Sequence, residues 1–253
     1  MPTLNVNGRA LHYAETGGGS PTLVLIHGAG GNHATWTRQL EGLADAARVI
    51  ALDLPGHGAS PGDGCRAVAD YAAAVRGFLG ALGAGPVVLG GHSMGGAITQ
   101  TVALGAPELL RGLVLVGTGA KLRVFPKLFE LLEKDYAAGV AFISGYAWSP
   151  ASSPALKEGG RRAMLETRAA VTLGDFRACD GFDVLARVGQ LRLPALVVVG
   201  EDDQLTPPKY AEFLTGAIPG AQLVRIPRAG HYVMLEQPEE TNLAICQFLA
   251  SLK

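Results

Sequence analysis

The sequence carries little charge and almost no excess of either sign: charged residues make up 17% of its 253 residues, and the formal net charge is −1. Nucleic acid and anionic membrane surfaces need clustered Lys and Arg, so neither is expected as a partner. Cysteine is scarce as well. Cys65, Cys179 and Cys246 form no CxxC pair, and an odd, widely spaced set suggests neither a disulfide framework nor a zinc site. A reducing, cytoplasmic setting is the expectation. No apolar run approaches the ~18 residues of a membrane span, and the start, Met1 to Asn5, has neither the basic residues nor the apolar core of an export signal. No Walker-type lysine follows a glycine loop, no GxGxxG lies at a strand–helix junction, and no His pair has metal spacing. No metal or other cofactor is therefore expected.

What is abundant is short, continuously apolar runs: Thr22 to Ile26, Val49 to Leu52, Pro86 to Leu89, Leu113 to Val116, Ala195 to Val199, and Leu223 to Ile226. Runs that do not alternate suit strands covered on both faces, which means a parallel sheet. Between them lie helical patterns, one reading Val68, Tyr71, Ala72, Val75, Phe78, Leu79, Leu82 and another Trp36, Leu40, Leu43. This alternation predicts an α/β fold with a doubly wound, mostly parallel sheet. The first residues differ: Leu4 to Arg9 and Ala10 to Tyr13 alternate around Asn7-Gly8, a hairpin signal, so an antiparallel hairpin is expected at the sheet edge. From 121 to 190 the strand signal disappears. Helical segments at Phe125 to Tyr136 and Arg161 to Val171, with a loop at Trp148 to Pro154, predict a helical lid inserted between the sixth and seventh main strands. The core domain is then 1–120 together with 191–253.

The sharpest local signal is Gly91-His92-Ser93-Met94-Gly95, directly after a strand and opening a helix. A serine on so tight a turn exposes its hydroxyl at the carboxyl edge of the sheet, and the glycines are needed where side chains would clash. Such a nucleophile needs a base. His231, in the loop after the last strand, sits on the same edge, whereas the default reading of a lone loop histidine is a solvated surface group. His27 and His57 read as loop-bracing residues, and His92 as pointing away from the pocket. The base needs an acid to orient it, and the loop after Val199 offers Glu201, Asp202 and Asp203. Backbone amides are the simplest preorganised donors for an oxyanion. Met94, after the serine, supplies one, and Ala29 in His27-Gly28-Ala29-Gly30-Gly31 is placed to supply the second.

These segments together resemble the α/β-hydrolase superfamily, in its bacterial serine carboxylesterase and lactonase-like branch. The resemblance runs through HGAG at 27–30, DLPGHGAS at 53–60, GHSMGG at 91–96, GEDDQLTP at 200–207 and AGHYVMLEQPEE at 229–240. It implies a Ser93, Asp203, His231 triad, Asp203 being the choice by likeness to a GxxDxxxP loop. Related dehalogenases and epoxide hydrolases carry aspartate at the turn, which Ser93 argues against.

The implied activity is cleavage of small-molecule esters through an acyl-enzyme. The alternatives are a lactonase or C–C bond hydrolase with the same triad, or a ligand-binding protein on this scaffold. An apolar pocket is expected from Gly28, Ala29, Met94, Leu205 and Val233, with Phe125, Phe129, Tyr146 and Trp148 from the lid, core packing being the competing reading. Self-association into a homodimer is left open.

Overall fold

In a computed structural model that describes residues 2–252, the chain opens with a hairpin. Thr3–Val6 (β1) pairs antiparallel with Arg9–Thr16 (β2), Val6 facing Arg9 across a two-residue loop. Asn7 and Gly8 both take positive φ, 51° and 82°, the geometry whose twist matches the flanking strands. The hairpin is antiparallel to Arg48–Leu52 (β4). From there the sheet is parallel through Thr22–Ile26 (β3), Val87–His92 (β5), Leu110–Val116 (β6), Ala195–Gly200 (β7) and Gln222–Ile226 (β8), in the order β1-β2-β4-β3-β5-β6-β7-β8. The chain winds outward from β3 to β4, then returns to place β5 on β3's other side. That reversal leaves a crevice at the carboxyl ends of β3 and β5, the place where sheets of this kind take ligands.

Helices cover both faces, which is why the strands are apolar throughout. Val68–Leu82 (α2) buries the predicted face Val68, Tyr71, Ala72, Val75, Phe78 and Leu79 and stops at Gly83, whose φ of 62° ends the helix. It packs with Met94–Gly105 (α3) on one face of the sheet, while Thr37–Gly42 (α1) and Pro238–Ser251 (α10) line the other.

Between β6 and β7 the described residues form Pro126–Lys134 (α4), Tyr136–Ala147 (α5), Pro154–Glu166 (α6) and Ala169–Asp180 (α7). Two expected helix spans are corrected here. The span Phe125 to Tyr136 ends at Asp135, which turns extended (φ −151°) and caps α5 by accepting from the Ala138 amide. The span Arg161 to Val171 is broken at Thr167 and Arg168, both extended, although its apolar spacing runs straight through.

Candidate active site

β5 passes into α3 without a loop, and Ser93 sits at the joint with φ 53° and ψ −115°. Such backbone is strained for a residue with a side chain and persists only where surroundings enforce it. They do: the Ser93 amide donates to Val116 O at 3.0 Å, and the Thr118 hydroxyl donates to Ser93 O at 2.8 Å. A Cβ on Gly91 would overlap the Gly95 carbonyl, and one on Gly95 the Ile26 carbonyl, so the spacing of the motif follows from backbone contact. Met94 is the first residue of α3, where the helix offers its amide no acceptor.

The loop after β7 brings Asp203 into the interior. Its Oδ1 accepts from the Leu205 and Thr206 amides, both at 2.9 Å, and its Oδ2 from the Thr206 hydroxyl at 2.8 Å. His231, from the loop after β8, places Nδ1 2.9 Å from the same Oδ2. With Nδ1–H donating to the carboxylate, Nε2 keeps its lone pair. Of the three acids, Asp203 meets the imidazole. Asp202 instead accepts from the Ser149 hydroxyl at 2.5 Å, and Glu201 lies in solvent 3.8 Å from Arg225.

Ser93, His231, Gly28, Ala29 and Leu205 line one cavity of about 680 Å³, with Phe125 at its exposed mouth. Ser93 Oγ and the imidazole make no hydrogen bond to each other among the described residues; contacts of this kind commonly tighten only around a substrate. Met164, Phe176, Leu122, Leu128 and Tyr210 also line it, and nothing in their local spacing distinguished them from core. Cys179 lies there too, but burial first and Asp175 second push its thiol pKa upward, so it stays protonated and a poor nucleophile.

Five expected lining residues sit elsewhere. The Met94 side chain is fully buried in the core and does not line the cavity. Val233 is wholly buried against the opposite face of the sheet. Trp148 is buried with its ring stacked 4.6 Å from that of Tyr232. Phe129 packs into the core from α4, and Tyr146 is exposed against Phe125 and Phe142. His92 departs from expectation the other way, since it lines the cavity. Its Nε2–H donates to the His231 carbonyl at 2.9 Å, fixing that loop, and burial, then the neighbouring His231, hold its pKa well below the usual value. His27 and His57 are buried braces. His27 Nε2 accepts from the Leu54 amide and its Nδ1–H donates to Gly28 O, while His57 reaches Asp175 of α7.

A strained serine and a carboxylate-bound imidazole on one cavity have the chemistry to deprotonate a hydroxyl, and they lie at the switch point of an α/β sheet. More particularly, the chain belongs to the alpha/beta hydrolase family, whose model matches residues 23–244. It is 34% identical to the dihydrolipoyllysine-residue acetyltransferase component of the acetoin cleaving system of Pseudomonas putida, over 96% of this chain and 68% of that one. It is 30% identical to a 2-hydroxy-6-oxononadienedioate/2-hydroxy-6-oxononatrienedioate hydrolase of Burkholderia vietnamiensis, over 94% and 90%. A solved thermophilic esterase superposes with a TM-score of 0.89 at 37% identity, covering 99% of this chain and 97% of the other.

Proposed function

We propose that this hydrolase cleaves carboxylic esters of small molecules through an acyl-enzyme on Ser93. The observation that carries the reading is the buried Asp203–His231 pair opening onto the cavity that also holds the strained Ser93. His231 Nε2 takes the Ser93 proton as Oγ attacks the ester carbonyl, and Asp203 stabilises the imidazolium that results. The amides of Ala29 and Met94 receive the oxyanion. Collapse breaks the bond to the alkoxy group, which leaves with the proton from His231; water then repeats the sequence and releases the acid. A lactonase or C–C bond hydrolase would use the same groups; the Burkholderia relative, named as a hydrolase of a 2-hydroxy-6-oxo dienedioate, supports the second of these. Three unpaired cysteines suit a reducing, cytoplasmic setting.

The test is turnover of p-nitrophenyl butyrate beside a γ-lactone. Continuous release over many equivalents of ester is the expected result. A single stoichiometric burst would favour a ligand-binding protein, and faster opening of the lactone would favour the alternative.

A further inference from the structure

The peptide of Gly30, next to the proposed oxyanion donor Ala29, is gripped from both sides by the inserted helices. Its N–H donates to Asp175 Oδ2 at 2.8 Å, and its carbonyl accepts from the Thr167 hydroxyl at 2.9 Å. These contacts join residues 145 and 137 apart in sequence. Gly30 has φ +66°, and a Cβ there would meet Met164 Cγ at 3.0 Å, so the loop closes on the insertion with no room for a side chain. Within the loop, the Gly31 amide donates to Gly28 O at 3.1 Å. The Ala29 amide makes none of these contacts among the described residues, and its direction is set by the peptides on either side.

Both partners are anchored in turn. Asp175 is fully buried; its Oδ1 accepts from the Tyr71 hydroxyl at 2.5 Å, and Oδ2 also takes His57 Nε2–H at 2.8 Å. Thr167 sits in the break between α6 and α7, where its own carbonyl lies 2.8 Å from the Tyr136 hydroxyl. That break, against the helical spacing of the sequence, is what aims its hydroxyl at Gly30. The connection between α5 and α6 is tied to the histidine loop: the His231 amide donates to Ala147 O at 2.8 Å, and Glu236 accepts from both the Ser149 and Gly230 amides.

Resting on the serine hydrolase reading, we infer that the insertion acts as a fixed clamp for the oxyanion site, with Asp175 and Thr167 as positioning residues that set the Ala29 amide. They touch no reacting atom. Their contribution is to the stage at which negative charge develops on the substrate oxygen, so it appears in kcat and not in ground-state binding.

The experiment compares Asp175→Asn, Thr167→Val and Thr167→Ser in full-length protein. The readouts are kcat and KM on a p-nitrophenyl ester, and inhibition by a trifluoromethyl ketone whose adduct on Ser93 carries an oxyanion. Asp175→Asn should lower kcat by about 10- to 100-fold, the scale of a misplaced catalytic group, with KM little changed and ketone affinity falling in parallel. Thr167→Val should do the same more mildly, and Thr167→Ser, which keeps the donor, should recover the rate. If Asp175→Asn does not fold, Thr167→Val alone decides. Folded Thr167→Val with unaltered kcat and ketone affinity, or loss confined to KM, overturns the clamp. Activity surviving in Ser93→Ala would instead overturn the serine reading on which the clamp rests.

Discussion

Replacing Asp203 by asparagine removes one charge at constant shape, and the surrounding hydrogen bonds dictate how the new amide orients. The Leu205 and Thr206 amides both need an acceptor, so the asparagine oxygen stays in the place of Oδ1. Its NH2 group then occupies the place of Oδ2, facing the Thr206 hydroxyl and His231 Nδ1. The hydroxyl can rotate to accept. The imidazole can accept only by moving its proton from Nδ1 to Nε2, and that tautomer has no lone pair for Ser93. The imidazolium also loses its counter-charge. Neutralising a triad acid in this way lowers kcat by about 10⁴-fold in a serine protease, or about 5 kcal/mol of transition-state stabilisation, and a similar loss is expected here. KM should stay within a few-fold, because Asp203 is not among the cavity-lining residues. The assay is kcat on a p-nitrophenyl ester at about pH 8, where an ordinary imidazole is neutral, with circular dichroism to exclude unfolding. Asp202→Asn is the control, since its oxygen can still accept from Ser149. Asp203→Asn retaining a tenth of the rate, or Asp202→Asn proving the more damaging, would refute the assignment.

Trp148→Ala should cost about 3–5 kcal/mol in urea unfolding, as for other buried aromatics, with no change in acyl-chain preference; a loss below about 1 kcal/mol contradicts its place in the core. His57 faces Asp175, Asp53, His27 and Tyr71; burial lowers its pKa, but the Asp175 charge and hydrogen bond outweigh this and leave it raised. Its stabilising contribution is thus complete below the unfolded value of about 6.5 and disappears as pH rises through the folded one. Melting temperature should decline over that interval in the wild type more than in His57→Gln, and equal slopes would show that His57 is uncharged. Among the described residues the cavity lining carries Lys121, Arg123 and Lys209 beside one acid, Asp180; Lys121 is ion-paired with Asp183 at 2.6 Å, so the excess positive charge rests on Arg123 and Lys209. A half-ester of a dicarboxylic acid should accordingly show a lower KM than a neutral ester of the same length, the gap closing at high salt; equal values at low salt contradict a role for these cations.

Elements specified by local chemistry were legible in the sequence. Asn7-Gly8 can hardly be anything but a tight turn, and the run from Val87 through Gly95 encodes strand, strained serine and helix in nine residues. Side-chain direction was less legible. His92 belongs to the same motif, yet only the packing of the β8–α9 loop, where Val233–Glu236 forms α9, shows its ring turned to the cavity and bonded to the His231 carbonyl. Val233 and Trp148 have the chemistry of pocket residues, and which face of an element they occupy was decided by tertiary contacts. Asp175 carried no signal at all: an acid inside a helical stretch reads as solvated, and its partners Gly30, His57 and Tyr71 lie more than a hundred residues away. Asp135 did carry one, being a helix-capping residue type next to the end of a span read as a single helix.

The central claim is that Ser93 attacks the substrate, and covalent trapping addresses it most directly. Treated with an organophosphate, the protein should gain one adduct per chain, mapped by peptide mass spectrometry to Ser93, with ester hydrolysis lost in proportion to labelling. An adduct on another residue, Cys179 in the same cavity included, accompanied by complete loss of activity while Ser93 stays unmodified, would contradict it.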